Sequence, residues 1–281
     1  MAIIPKILQT VKLKGNNLKK ILFSVLAASS LVMALDTEAT NDNALVTHTE
    51  LGYIQTSGNT KTKTFNLDAK VKKSWDKHIV GFAFDGQYAD DDGTETKNKF
   101  FTELGYGYAF TDRFAVDYIV GYKADKFSGF DYQAYTGPGV IHKTIVSETL
   151  NLNLSGNVLY SMDSYQDVYH DVEGEVIEYP NSTEDGTLEA EAYDDNYVGY
   201  RVKGVFDWQM LENLKFDQEL SLRGSFEEGD NYFVFSKTAF SSKISDIFSA
   251  GISYKVDYIN LPAEGKESTD TTVTANLIID Y

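Results

Sequence analysis

The side chains of this sequence that could make or break bonds are its four histidines, His48, His78, His142 and His170, set among many carboxylates. Cysteine is absent, which removes thiol nucleophiles, disulfides and thiolate metal sites. An outer-membrane protease would need a histidine beside an aspartate, the carboxylate orienting an imidazole that activates water. His170 with Asp163, Asp167 or Asp171 has that composition, but it lies in a stretch so rich in carboxylates that the pairing follows from composition alone. No Ser–His spacing suited to a lipase is evident, and His48, His78 and His142 read as strand-end or interior residues. The sequence thus points to no catalytic residue and no cofactor. Asp90, Asp91, Asp92 and Glu95 could offer clustered oxygens to a divalent cation. They lack the distal glutamate of a calcium loop, so the simpler reading is solvated charge. The segment 163–195 holds twelve Asp or Glu and no Lys or Arg. With 90–95 it would make an acidic rim that depletes anions by like-charge repulsion.

A second group of charges stands out by position. Asp68, Lys70, Lys72, Asp85, Glu103, Asp117, Lys123, Arg201, Lys203, Asp207, Lys215, Asp217, Glu219, Arg223, Lys255 and Asp257 fall on the polar face of segments whose other face is apolar. Between 65 and 72, Phe65, Leu67, Ala69 and Val71 alternate with Asn66, Asp68, Lys70 and Lys72. Period-two alternation is the mark of a strand with two different surroundings. It recurs about every 20 residues down the whole chain, and transmembrane barrels carry this signature. The strands expected are 45–56, 61–75, 80–88, 103–110, 114–123, 131–143, 150–160, 198–208, 213–226, 231–243, 248–258 and 270–281. Twelve is an even number, as single-chain bacterial barrels require; ten or fourteen remain compatible with the pattern. The expected fold is therefore an all-β antiparallel transmembrane barrel with the named charges lining its lumen. They would either border a weakly selective aqueous pore or pair off as salt bridges that plug it. Tight connections at 76–77, 111–112, 210–213 and 245–246 alternate with longer ones at 56–60, 89–96, 127–130, 163–195, 226–230 and 261–269. Short turns on one rim and long loops on the other are the outer-membrane arrangement.

The remaining features agree. The 281 residues are 42 % hydrophobic, yet mean hydropathy is −0.30, because apolar and polar residues interleave. Lys6, Lys12, Lys14, Lys19 and Lys20 precede an apolar run at 21–35, and Val32 and Ala34 are small enough for signal cleavage after Ala34. Residues 35–44 would form a short periplasmic segment and 45–281 the barrel. A net charge of −17 argues against nucleic acid as a partner. The partners expected are outer-membrane lipid and the assembly machinery, with divalent cations a weaker candidate. Val273, Ala275, Leu277, Ile279 and the terminal Tyr281 form an apolar row, interrupted on the opposite face by Ile278 alone. Such a strand can add to an exposed sheet edge, which makes it the expected assembly signal.

Glu50-Leu51-Gly52-Tyr53-Ile54-Gln55-Thr56-Ser57-Gly58-Asn59-Thr60 resembles the opening strand and turn of the salt-induced outer-membrane protein family, a domain family of unknown function. Gly137-Pro138-Gly139 resembles a later strand of that family, and the resemblance extends over 45–281. It implies an outer-membrane barrel and brings no catalytic residue with it; the acidic segment 163–195 departs from the family pattern. The function expected is a small pore or permeability barrel of the bacterial outer membrane. The alternative is a non-conducting structural or adhesive barrel acting through its loops. A barrel protease or lipase stands behind both.

Overall fold

The computed structural model describes residues 45–55, 62–170, 176–177 and 187–281. The strands are β1 (Leu45–Gln55), β2 (Thr62–Trp75), β3 (His78–Asp91), β4 (Thr94–Ala109), β5 (Phe114–Asp125), β6 (Phe130–Val146) and β7 (Leu150–Tyr165). Next come three short strands, β8 (Val168–His170), β9 (Val176–Ile177) and β10 (Thr187–Ala190). The chain continues through β11 (Tyr193–Leu211), β12 (Leu214–Ser225), β13 (Tyr232–Lys243), β14 (Phe248–Ile259) and β15 (Thr269–Asp280). Twelve of these close into an antiparallel barrel in the order β1-β15-β14-β13-β12-β11-β7-β6-β5-β4-β3-β2. β8, β9 and β10 form a separate small sheet in the connection between β7 and β11. The expected twelve-stranded barrel is therefore the fold observed. Closure matters physically, because every ladder N–H and C=O finds a partner and no edge is left.

The seam joins the first and last strands. His48 to Leu51 pair with Asp280 to Leu277, and Thr47 exchanges two backbone hydrogen bonds with Tyr281, at 2.6 and 3.0 Å. Both described chain ends therefore lie on the short-turn rim. His48 reinforces the junction: its Nδ1 lies 2.6 Å from Asp280 Oδ1 and its Nε2 3.1 Å from Glu50 Oε1.

The molecule is inverted relative to a water-soluble domain. Among the described residues, twenty-four polar or charged side chains are buried against eleven apolar ones. Meanwhile Leu104, Val120, Val158, Val202, Leu220, Ile252 and Val273 stand about half exposed on the outside. In water such a continuous apolar surface is an aggregation hazard; in hydrocarbon it is the matched face. Aromatic rows border it. Toward the long-loop rim, Phe84, Phe100, Tyr122 and Tyr132 stack in series with centroids 6.3, 5.9 and 5.7 Å apart. Toward the short-turn rim, Trp75, His78, Tyr108, Phe110 and Phe114 follow one another at 5.6, 5.3, 5.3 and 6.4 Å. Phe206, Phe216 and Phe240 make a third row, at 6.0 and 5.0 Å.

Several boundaries differ from the expectation. The stretch 89–96 is not a long loop: β3 runs to Asp91 and β4 starts at Thr94. Only Asp92 and Gly93 turn the chain, both at positive φ (49° and 89°), the twist that suits a two-residue hairpin. Strand ends that project into water need no apolar face, so alternation stops before the strand does. For the same reason Asp163 belongs to β7 and Tyr193 to β11, which shortens the connection expected at 163–195. A short turn at 147–149 completes the short-turn rim. The leader with its cleavage site, the segment 35–44, the Ser57-Gly58-Asn59 turn and Asp171 lie outside the described residues.

Candidate functional site

The candidate site is the barrel interior, where the polar residues of alternating strands converge. At mid-height Arg201 of β11 reaches Glu103 of β4, with Nη1 2.5 Å from Oε2. These strands stand four places apart in a ring of twelve, so the bridge is a chord across the lumen. Tyr135 of β6 donates its hydroxyl to the same oxygen of Glu103 at 2.5 Å. Arg201 Nη2 donates to Asn157 Oδ1 at 3.3 Å, and Asn157 Nδ2 donates to Asp117 at 3.2 Å. Two glycines make this layer possible. Gly121 sits opposite both Glu103 and Tyr135, and a Cβ there would strike the Tyr135 ring. Gly139 sits between Asp117 and Asn157, and its Cβ would displace their hydrogen bond. Absent side chains thus let their neighbours reach across a whole strand.

Other chords lie alongside. Lys237 of β13 donates to Glu50 Oε1 of β1 at 2.5 Å and to Asp68 Oδ2 of β2 at 2.8 Å. Lys255 of β14 pairs with Asp85 of β3 and lies 3.6 Å from Asp68. Asn276 donates to the second oxygen of Glu50 at 2.5 Å. Lys99 of β4 meets Asp257 of β14 at 2.9 Å, five ring places away, and Asp270 of β15 at 3.5 Å. Lys203 and Glu219 pair at 2.6 Å on neighbouring strands. Asp163 accepts from Gln133 at 3.2 Å and from the Tyr197 hydroxyl at 2.9 Å, with Arg223 Nη1 3.7 Å away. Buried charges persist only when paired and hydrogen-bonded; each of these charges has an ion-pair partner, while Arg201 Nε and Arg223 Nη1 are buried without a hydrogen bond.

The chords divide the interior. A cavity of about 190 Å³ opens on the long-loop side, reaching Lys123, Phe233 and Ile259. A second, of about 20 Å³, lies on the short-turn side against Asp117, Ile141, Asn153 and Val205. Glu103, Arg201 and Lys203 border both, so the Arg201–Glu103 layer is the wall between them. The larger cavity is lined by eight cationic side chains, Lys70, Lys99, Lys123, Arg201, Lys203, Arg223, Lys237 and Lys255, and by five carboxylates, Asp68, Asp85, Glu103, Glu219 and Asp257.

Of the charges named from the sequence, these two cavities bring together all but four. Lys72 lies toward the short-turn end of β2, and Asp207 accepts from Asn151 at 3.2 Å near the same rim. Lys215 and Asp217 pair at 2.7 Å in a more exposed position. Sequence reasoning missed Glu50, Lys99, Tyr135, Asp163 and Lys237. Lys99 fell between the loop read at 89–96 and the strand read from 103, Asp163 fell in a stretch read as loop, and Lys237 sits among Ser236, Thr238 and Ala239, which blur the alternation. Among the four acidic residues at 90–95, Asp90 and Glu95 have partners within the protein. Asp90 Oδ1 accepts from the Gly93 N–H at 3.2 Å, and Glu95 pairs with Lys126 at 2.8 Å. The described residues contain no group of three side chains able to ligate a metal. Asp163, one of the carboxylates named beside His170, is engaged inside the barrel. His78 lies 2.7 Å from the Tyr106 hydroxyl and His142 3.2 Å from Thr144 Oγ1.

Val273, Ala275 and Leu277 face outward along β15, while Thr274, Asn276 and Ile278 are buried. Ile278 is thus an apolar residue of the interior face.

Among solved structures, the chain is similar to the NanC porin, at 11 % identity over 85 % of this chain and 100 % of that one, with a TM-score of 0.45. It is similar to the translocator domain of the autotransporter NalP from Neisseria meningitidis, at 8 % identity over 95 % of each chain and a TM-score of 0.45. The KdgM porin follows, at 10 % identity over 85 % and 99 % of the two chains and a TM-score of 0.40. No curated protein matches the sequence. The profile of one family matches residues 49–281, nearly all of the barrel, and the chain belongs to that family, described as protein of unknown function, DUF481.

Proposed function

We propose that this chain is a bacterial outer-membrane barrel that works as a narrow pore closed at mid-height by its own ion pairs. The outward apolar band and its aromatic rows support a membrane location, because amphipathic rings favour the boundary between lipid and water. The short-turn rim would face the periplasm and the long acidic loops the outside. The observation that carries the pore reading is the wall itself: Arg201 and Glu103 separate a pair of cavities that would otherwise join. An interior filled by packed side chains would have no cavity to divide. The transverse pairs of Lys237 and Lys99 favour a second reading, a permanently closed barrel that acts through its loops.

The test is liposome swelling. Refolded wild-type protein should admit small solutes slowly, and Glu103→Gln with Arg201→Gln should speed uptake several-fold. No uptake by either protein, with folding verified by heat-modifiable migration, would favour the closed barrel. The proposal includes delivery through the terminal strand ending at Tyr281 and no catalytic role. It keeps calcium at the acidic loops only as a screening counter-ion. The salt-induced designation belongs to it as well, and abundance of the protein measured under osmotic load checks that aspect.

A further inference from the structure

The wall of the larger cavity carries more cations than carboxylates, although the protein as a whole carries −17. Its five carboxylates are all engaged. Asp68 is held by Lys237 and Lys255, Asp85 by Lys255, Glu103 by Arg201, Glu219 by Lys203 and Asp257 by Lys99. Three cations are held less closely than the others. Lys70 makes no salt bridge within 4 Å among the described residues and acts on Asp68 and Glu219 only at longer range. Lys123 comes no nearer a carboxylate than 3.9 Å, at Asp257. Arg223 stands 3.7 Å from Asp163, and its buried Nη1 has no hydrogen-bond partner. They belong to β2, β5 and β12, spaced around the ring, so they face the cavity from three sides.

The guanidinium of Arg223 is also held in place. It lies 4.4 Å from the Phe233 ring centroid and 5.3 Å from that of Tyr135. Stacking on aromatic faces fixes the fork and leaves its donors directed elsewhere. A buried guanidinium nitrogen without an acceptor is costly, and a bound anion would supply the acceptor. Guanidinium suits carboxylate and phosphate oxygens because it donates two parallel bonds. A volume of about 190 Å³ equals roughly six waters at about 30 Å³ each, room for a small organic acid but not a polymer.

We infer that this cavity is a binding site for a small multivalent anion bearing carboxylate or phosphate groups, held by Arg223, Lys70 and Lys123. The inference rests on the pore reading only for its role, since it names what the pore would select; binding itself requires no conduction. It sets the interior against the rim, whose acidic loops repel the same ions. The path would then admit anions that the inner cations hold more strongly than the rim excludes them.

The experiment is calorimetric titration of the refolded barrel in detergent with citrate and, separately, inorganic phosphate, with glucose as neutral control. Bilayer reversal potentials in a KCl gradient are measured alongside. Citrate or phosphate should bind, and glucose should not. Arg223→Gln and Lys70→Gln should each weaken binding at least tenfold and move the reversal potential toward cation preference. Lys70→Gln breaks no salt bridge within 4 Å, and heat-modifiable migration verifies that each variant is folded. Citrate preferred over phosphate would identify carboxylate as the recognised group, and the reverse would identify phosphate. A barrel that conducts but binds neither anion overturns this inference and leaves the pore standing. A silent barrel that binds citrate overturns the pore and leaves the site standing.

Discussion

Lys237 shows how much a single interior residue carries. Its ammonium holds Glu50 and Asp68, two carboxylates from β1 and β2, across the lumen from β13. Lys237→Met leaves Glu50 buried without an ammonium and Asp68 with Lys255 alone, 3.6 Å away. Breaking a buried pair from one side costs about 3–5 kcal/mol, so the urea midpoint of the refolded protein should fall markedly. Adding Glu50→Gln and Asp68→Asn should recover some of the loss, since two neutral amides need no counter-charge. A midpoint unchanged in Lys237→Met would mean that the pair is solvated. At this scale the sequence was partly legible. Asp68, Glu103, Arg201 and Lys255 could be placed inward because strong alternation marked their strands; the strand of Arg223 alternates more weakly. Which carboxylate each cation meets could not be read, because most partners lie on strands two to five places around the ring. Period-two spacing reports a face and is silent on the chord. Of the small residues that admit the chords, Gly139 stood out as part of Gly137-Pro138-Gly139 and Gly121 as a polar-face position between Val120 and Tyr122, but neither spacing shows that a neighbour reaches across it.

At the scale of the strand, sequence reasoning went further. All twelve barrel strands were legible, since a strand between lipid and a polar lumen must alternate to match both. Strand ends were not, because beyond the lipid boundary both faces meet water and the constraint lapses. β4 shows this: Thr94 to Lys99 alternate no apolar side chains, yet Asn98 and Lys99 pair with β3 and β5 in full register. The two-faced nature of a strand also gives a sharp test in β11. Val202 points outward, 56 % exposed, and its neighbour Lys203 points into the lumen. Val202→Arg should cost about 2–4 kcal/mol for a charge at the middle of the lipid face, read as loss of folding efficiency into vesicles. Lys203→Arg, one residue along, should fold as wild type because Glu219 remains paired. Equal behaviour of the two variants would contradict the assignment of faces.

For the whole molecule, the barrel explains why a chain this acidic and apolar at once can be stable. Hydrocarbon takes the outer face, the lumen takes the charges, and closure satisfies the backbone. What the barrel does turns on the Arg201–Glu103 layer, the wall between the two cavities. The most direct measurement is single-channel recording of wild-type protein against Glu103→Gln/Arg201→Gln in a planar bilayer. The account predicts small or rare openings for wild type and frequent, larger steps for the double variant. Wide, steady wild-type openings that the double variant leaves unchanged would contradict it.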